Sequence, residues 1–170
     1  YKPEYFDILD MILKNTIITN LNIEDHTGHI ILHSVINCAV ENPELKFLAN
    51  HLVLRALAHI DANPGLFGYA NPFNFINHNG DNILHAACTL GNIAMIANII
   101  QKLPQTQDVV NTHGDKPLSI LDTDQAKTLT AELRELNKSS TSDVERFSPS
   151  SVAEKAIVSD IYTHASGITP

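Results

Sequence analysis

The chain has no tryptophan, only 6% aromatic residues and two cysteines. A core built from such a set is closed by Ala, Leu and Ile, as where helix packs against helix. Cys38 and Cys88 make no CxxC pair and fall in segments with helical patterning. They are expected to be small buried thiols in a reducing compartment, not a disulfide or a zinc site. Basic residues are scarce, 11 against 19 acidic ones, for a formal charge of −8. That balance argues against binding a nucleic-acid backbone or an anionic membrane surface. It mildly favours a basic partner, although an acidic surface that keeps the chain in solution is the simpler explanation. No apolar run approaches the length of a membrane span. A phosphate-cradling G-x-G-x-x-G is missing, because Gly28, Gly80 and Gly114 stand alone, and no Cys-His or Ser-His-Asp group can be picked out. What remains is 44% hydrophobic content over 170 residues, enough for a substantial core in one domain.

One phrase recurs three times. Asp25-His26-Thr27-Gly28-His29-Ile30-Ile31-Leu32-His33 returns as Asn77-His78-Asn79-Gly80-Asp81-Asn82-Ile83-Leu84-His85. A weaker copy is Asn111-Thr112-His113-Gly114-Asp115-Lys116-Pro117-Leu118-Ser119. Asn22, Asn74 and Asp108 each lie six residues before the glycine. Gly80 and Gly114 are 34 residues apart, and Gly28 and Gly80 are 52 apart, so one unit carries an insertion. A period near 33 marks stacked units that bury their apolar faces on one another and present an extended surface.

The middle copy continues Ala86-Ala87-Cys88-Thr89-Leu90-Gly91-Asn92, and the whole stretch resembles the ankyrin pattern D-x-x-G-x-T-P-L-H-x-A-A-x-x-G-H. Asn77 stands for the Asp, Asn82-Ile83 for the Thr-Pro, Cys88 for the second Ala and Asn92 for the last His. Ile93, Ile96, Ile99 and Ile100 supply the apolar face of a second helix. Gly80 suits a turn with φ > 0 and Gly91 a left-handed helix end. The third copy keeps Pro117 and Leu118 but has Ser119 for the His and Asp122 for a small apolar residue, as in a polar terminal repeat. In the first copy, Val35 and Ile36 replace the two small residues of the inner helix, the largest departure from the pattern. The resemblance covers about residues 5–136. It implies an all-α ankyrin-repeat solenoid of helix-turn-helix units with short β-hairpin fingers, spanning residues 1–137. A partial unit at 1–21 precedes units near 22–73, 74–107 and 108–137.

Outside the signatures, residues 3–14 read as a helix with Phe6, Leu9, Ile12 and Leu13 on one side, expected to be the second half of a preceding unit. No signal-peptide pattern is visible from Tyr1 onward. Asn42-Pro43-Glu44 reads as a helix start with an Asn cap, continuing through Leu45, Leu48, Leu52, Leu57 and Ile60. The apolar connection 63–72 should fold back on the domain. Residues 126–137 read as a closing helix with Leu129 and Leu133 inward, residues 138–151 as a Ser-rich linker, and 152–170 as a further helix or tail.

Nine histidines invite a metal reading, His26, His29 and His33 most of all. The repeat frame instead puts His26, His29, His78 and His113 on hairpin tips. It puts His33 and His85 where a histidine hydrogen-bonds backbone between repeats, so no convergent ligand set is expected. Asp122 and Asp124 read as solvated or capping. The resemblance therefore implies a protein-binding module without catalysis, cofactor or metal. Its concave surface would carry His26, Thr27 and His29 from the first unit, and His78, Asn79, Asp81, Thr89 and Leu90 from the second. Thr112, His113 and Asp115 follow from the third, with Thr123 and Asp124 beside them. The expected partner is another protein, with neither nucleic acid nor membrane, and the module itself is expected to be monomeric and intracellular. An alternative is the substrate-recruiting region of a larger enzyme, or of a bacterial effector delivered to the cytoplasm or nucleus of a host cell. The fold leaves the partner open.

Overall fold

The computed structural model describes residues 24–62 and 72–141, with Asp7, Ile8, Met11 and Lys14 as single helical, exposed positions. The rest of the expected helix at 3–14, the connection 63–71, and the linker and tail from 142 onward lie outside the described residues.

The described fold is all-α. Helix α1 (Ile31–Glu41) runs through a 3-10 turn (Pro43–Leu45) into α2 (Lys46–Ala62). Helices α3 (Ile83–Leu90) and α4 (Ile93–Lys102) form a second pair, and α5 (Thr123–Thr141) closes the row. Helix α1 packs on α3, and α3 on the 3-10 turn Pro117–Ile120; α2 packs on α4, and α4 on α5. The result is an inner and an outer row joined within each pair.

Small and branched apolar side chains fill the space between the rows. Ile30, Leu32, Val35 and Ile36 are fully buried, as are Ile83, Leu84 and Ala87 opposite them and Met95, Ile96 and Ile99 behind. Phe73, in the 3-10 turn Pro72–Asn74, is the one aromatic side chain among the largest fully buried ones. The first inner helix therefore forms despite Val35 and Ile36, whose β-branched side chains enter the core where the next unit has Ala87 and Cys88. On α2 the buried face is Ala49, Leu52, Val53, Ala56, Leu57 and Ile60, while Leu48 is 39% exposed.

Helix ends follow from single residues. Gly91 takes φ 67° and gives its N–H to the carbonyls of Ala87 and Cys88, so α3 stops there. Asn92 then starts α4 by accepting the Met95 N–H at 3.1 Å. Asn42 differs from expectation: its side chain does not cap the following turn, and its Nδ2 donates back to the Cys38 carbonyl at 2.9 Å. It closes α1, and Pro43 alone sets the next turn. Lys46 Nζ donates to the Leu90 carbonyl at 3.1 Å, placing a cation at the negative end of α3.

The third unit is reduced. Its inner element is the four-residue 3-10 turn Pro117–Ile120 rather than an α-helix. Asp122 stands past it as the cap of α5, accepting from the Asp124 and Gln125 N–H groups at 3.0 and 2.8 Å. Thr123 and Asp124 thus begin the closing helix and do not sit on an inner one. Helix α5 is longer than the expected 126–137 and takes in residues 138–141 of the expected linker. Lys138 there pairs with Glu135 at 2.6 Å.

Candidate binding surface

Three loops project from the starts of the inner elements, and one Asp or Asn side chain shapes each of them. Asp25 Oδ1 accepts from the N–H groups of Thr27 and His29 at 2.8 and 3.0 Å. Asn77 Oδ1 does the same for Asn79 and Asp81, both at 2.9 Å, and Asn111 Oδ1 for His113 and Asp115, both at 3.0 Å. The glycine at the fourth position has φ of 74°, 77° and 86° in turn. A short acceptor side chain followed by a left-handed glycine is thus the physical content of the repeated phrase. The hairpins are narrower than expected: each of the first two holds one antiparallel bridge, Glu24 to Ile30 and Ile76 to Asn82. No strand occurs among the described residues.

Neighbouring fingers are bonded to each other in one register. The amide Nδ2 of Asn77 reaches His29 Nε2 at 3.0 Å, and that of Asn111 reaches Asp81 Oδ1 at 2.9 Å. The Asn79 carbonyl also accepts from both N–H and Oγ1 of Thr112, each at 2.9 Å. Asn77 and Asn111 were absent from the expected site. Their recurrence three residues before each glycine, with Asp25 in the first copy, is the pattern that could have drawn attention to them.

The two inner histidines behave differently. His85 takes the Asn82 N–H on Nδ1 at 3.1 Å and meets the Asp115 carbonyl of the next finger at 3.2 Å through Nε2. The expected bond to the neighbouring repeat is present there. Asn82 completes the helix start by accepting from the Leu84 and His85 N–H groups and donating to the Thr106 carbonyl at 2.8 Å. In the first unit Ile30 occupies the cap position and has no such side chain. His33 is 1% exposed, and neither of its ring nitrogens has a hydrogen-bond partner, contrary to expectation. Burial, with the nearby His29 charge adding to it, lowers its pKa to about 4; the backbone of Asp81 and Asn82 and the Asp81 charge oppose this. Its ring lies 5.6 Å from that of His29 and edge-on to Phe75 at 6.4 Å.

The expected recognition residues divide accordingly. His26, Thr27, His78, Asn79, Thr89, Thr112, His113 and Asp115 are exposed along the fingers and on α3. Leu90, in the last turn of α3, is 3% exposed and belongs to the apolar core rather than to the surface. His29 and Asp81 are half-buried and engaged by the asparagines of the next finger, so their side chains hold the row together. Thr112 is likewise committed to Asn79. Asp25 is also tied: slight burial works to raise its pKa, but the Thr27 hydroxyl, the His29 and Thr27 N–H groups and the His29 charge outweigh that and hold it at about 2.

Both cysteines are buried and free, and burial pushes the Cys88 thiol well up. Among the described residues no three His, Cys, Asp or Glu side chains are grouped so as to hold a metal ion. No helix among them is long and apolar enough to cross a membrane. Comparison of the chain with family models, with curated proteins and with solved structures found no match.

Proposed function

We propose that residues 24–141 form a short ankyrin-type repeat module that binds another protein along its fingertips and the exposed edge of α3. The supporting observation is the repeated finger itself. Identical turns are stacked in one register and bonded to each other, and each leaves exposed side chains at the same two tip positions: His26 and Thr27, His78 and Asn79, Thr112 and His113. A row of varied polar tips, bonded to one another above a mainly apolar interior, suits recognition, because the scaffold loses little freedom when a partner settles on it. Catalysis is not part of this reading.

The test is capture of a partner from the source cells followed by titration with two variants. Changing His26, Asn79 and His113 together to Ala removes tip side chains that make no bond between fingers. Affinity should fall about tenfold or more with the melting point unchanged. Changing Lys127 and Glu135 on the outer face to Ala should leave affinity within about twofold. Loss only in the second variant would refute the reading.

A further inference from the structure

Two of the three fingers are covered by the next one, and the third is not. A side chain at Gly28 would collide with the ring and N–H of His78, and one at Gly80 with the backbone of Asn111 and Thr112. At Gly114 it would meet none of the described residues within 4 Å. Beside each covered glycine, the following residue accepts a side-chain amide: His29 from Asn77 at 3.0 Å and Asp81 from Asn111 at 2.9 Å. The preceding residue of the second finger, Asn79, offers its carbonyl to Thr112. The matching groups on the third finger are the Asp115 carboxylate and the His113 carbonyl, both on exposed residues flanking exposed Gly114.

We propose that this open end of the finger row docks a reverse turn of a partner protein, whose Asn, Lys or Arg side chain donates to Asp115 while its backbone lies over Gly114. The proposal rests on the binding reading above and specifies one site and one ligand chemistry within it. Charge selects the donor. Asp115 is a carboxylate, exposed Asp122 lies further along the same unit, and the chain carries −8 overall, so a neutral or cationic donor is favoured over an acceptor. The same logic excludes a second copy stacked head to tail. The first finger has Asp25 where the others have Asn77 and Asn111, and its Oδ1 already accepts three hydrogen bonds. Set against Asp115 it would bring carboxylate to carboxylate, a like-charge contact with no donor.

The probe is a cyclised peptide of residues 109–116, the segment that already lies over Gly80 in this pose, added in large excess to the full ¹⁵N-labelled chain. The amide signals of His113, Gly114 and Asp115 should move, while those of α2 and α4 stay in place. A peptide with Asp in place of its Asn keeps the acceptor that shapes the turn but loses the donor, and should bind about tenfold more weakly or worse. Asp115→Lys should abolish the shifts and leave the remaining spectrum folded. No movement at these three amides with any peptide would overturn the proposal, as would equal binding of the Asn and Asp peptides. Self-association that shifts residues 25–29 and 113–115 together would overturn it too, since a second copy would then be the occupant. Failure here, with the fingertip variant still losing its partner, would sink this site alone. Docking here, with the fingertip variant unaffected, would sink the broader surface and leave this end standing.

Discussion

Asn77 Nδ2 lies 3.0 Å from His29 Nε2, and only one arrangement of protons is compatible with that contact. Asn77 Oδ1 is held by two backbone N–H groups, so its amide nitrogen must face the ring and donate. His29 Nε2 is therefore an acceptor. At the other side of the ring, the Thr27 hydroxyl gives its one proton to Asp25 at 2.6 Å and can only accept from His29 Nδ1 at 2.7 Å. Both contacts are met together when His29 carries a proton on Nδ1 and accepts on Nε2.

At His85 the Nε2 faces the Asp115 carbonyl, which cannot donate, so Nε2 carries a proton. Its Nδ1 meets both the Asn82 N–H at 3.1 Å and the acceptor Asn82 Oδ1 at 2.8 Å, which ask for opposite roles. Imidazole ¹⁵N spectra at neutral pH should show a proton on Nδ1 of His29 and on Nε2 of His85. A bare Nε2 on His85, or a protonated Nε2 on His29, would contradict the finger-to-finger bonding described here. Asn77→Asp should free the His29 tautomer and cost about 1–2 kcal/mol, since the amide donor is replaced by an acceptor.

His33 makes stability pH-dependent. Its folded pKa of about 4 lies below the ordinary value of 6.5, with burial as the main cause. Between these values the unfolded chain binds the proton and the folded chain does not, so stability falls as pH drops from 6.5 towards 4. The full loss is about 3 kcal/mol. Urea melts at pH 7 and pH 4.5 should reveal it. His33→Leu keeps the volume and removes two unpartnered buried nitrogens, so it should flatten this dependence and leave stability at pH 7 equal or higher. An unchanged pH slope in the variant would show that another group is responsible.

The three finger glycines should not tolerate substitution equally. All have positive φ, but a Cβ at Gly80 would meet backbone atoms of Asn111 and Thr112 at 3.0–3.1 Å, whereas one at Gly114 would meet no described residue. Gly114→Ala should cost about 1–2 kcal/mol from backbone strain alone, and Gly80→Val about 3–4 kcal/mol from strain and collision together. Leu84→Asp, which buries a charge at a fully enclosed position, should cost about 4 kcal/mol or more. Equal losses at Gly80 and Gly114 would mean that the fingers are not stacked in this register.

The parts of this fold visible in the sequence were those fixed by local chemistry. Gly80 and Gly91 announced left-handed turns, and the apolar spacing on Ile96, Ile99 and Ile100 announced a buried helix face, because backbone sterics and helical period act within a few residues. Interactions between units were less legible. Whether His29 is a free tip or a strut depends on Asn77, 48 residues away. Leu90 was misplaced for a related reason: repeat position alone does not say which side chains of a short helix are buried when the units stack. Asn42 was ambiguous because one side chain can serve either the helix before it or the turn after it. The collapse of the third inner helix was hinted at by Asp122, yet its shrinkage to four residues depends on that aspartate capping α5 instead.

Burial should also silence a thiol. Cys88 is 3% exposed in the last turns of α3, and burial raises its pKa, so the reactive thiolate is suppressed. Alkylation of the native chain at pH 8 should leave Cys88 unmodified, while denaturation should expose two reactive thiols. Rapid native labelling at Cys88 would indicate that α3 is not enclosed between α1 and the 117–120 turn.

Mapping the bound face tests the central claim most directly. With the captured partner added to the ¹⁵N-labelled chain, backbone amide shifts should concentrate at residues 26–27, 78–79 and 112–113 and at Thr89. The exposed outer positions Lys127, Thr128 and Glu135 should remain unperturbed. Shifts confined to the outer helices α2, α4 and α5, with the fingertips silent, would contradict the proposal that this module recognises its partner through its fingers.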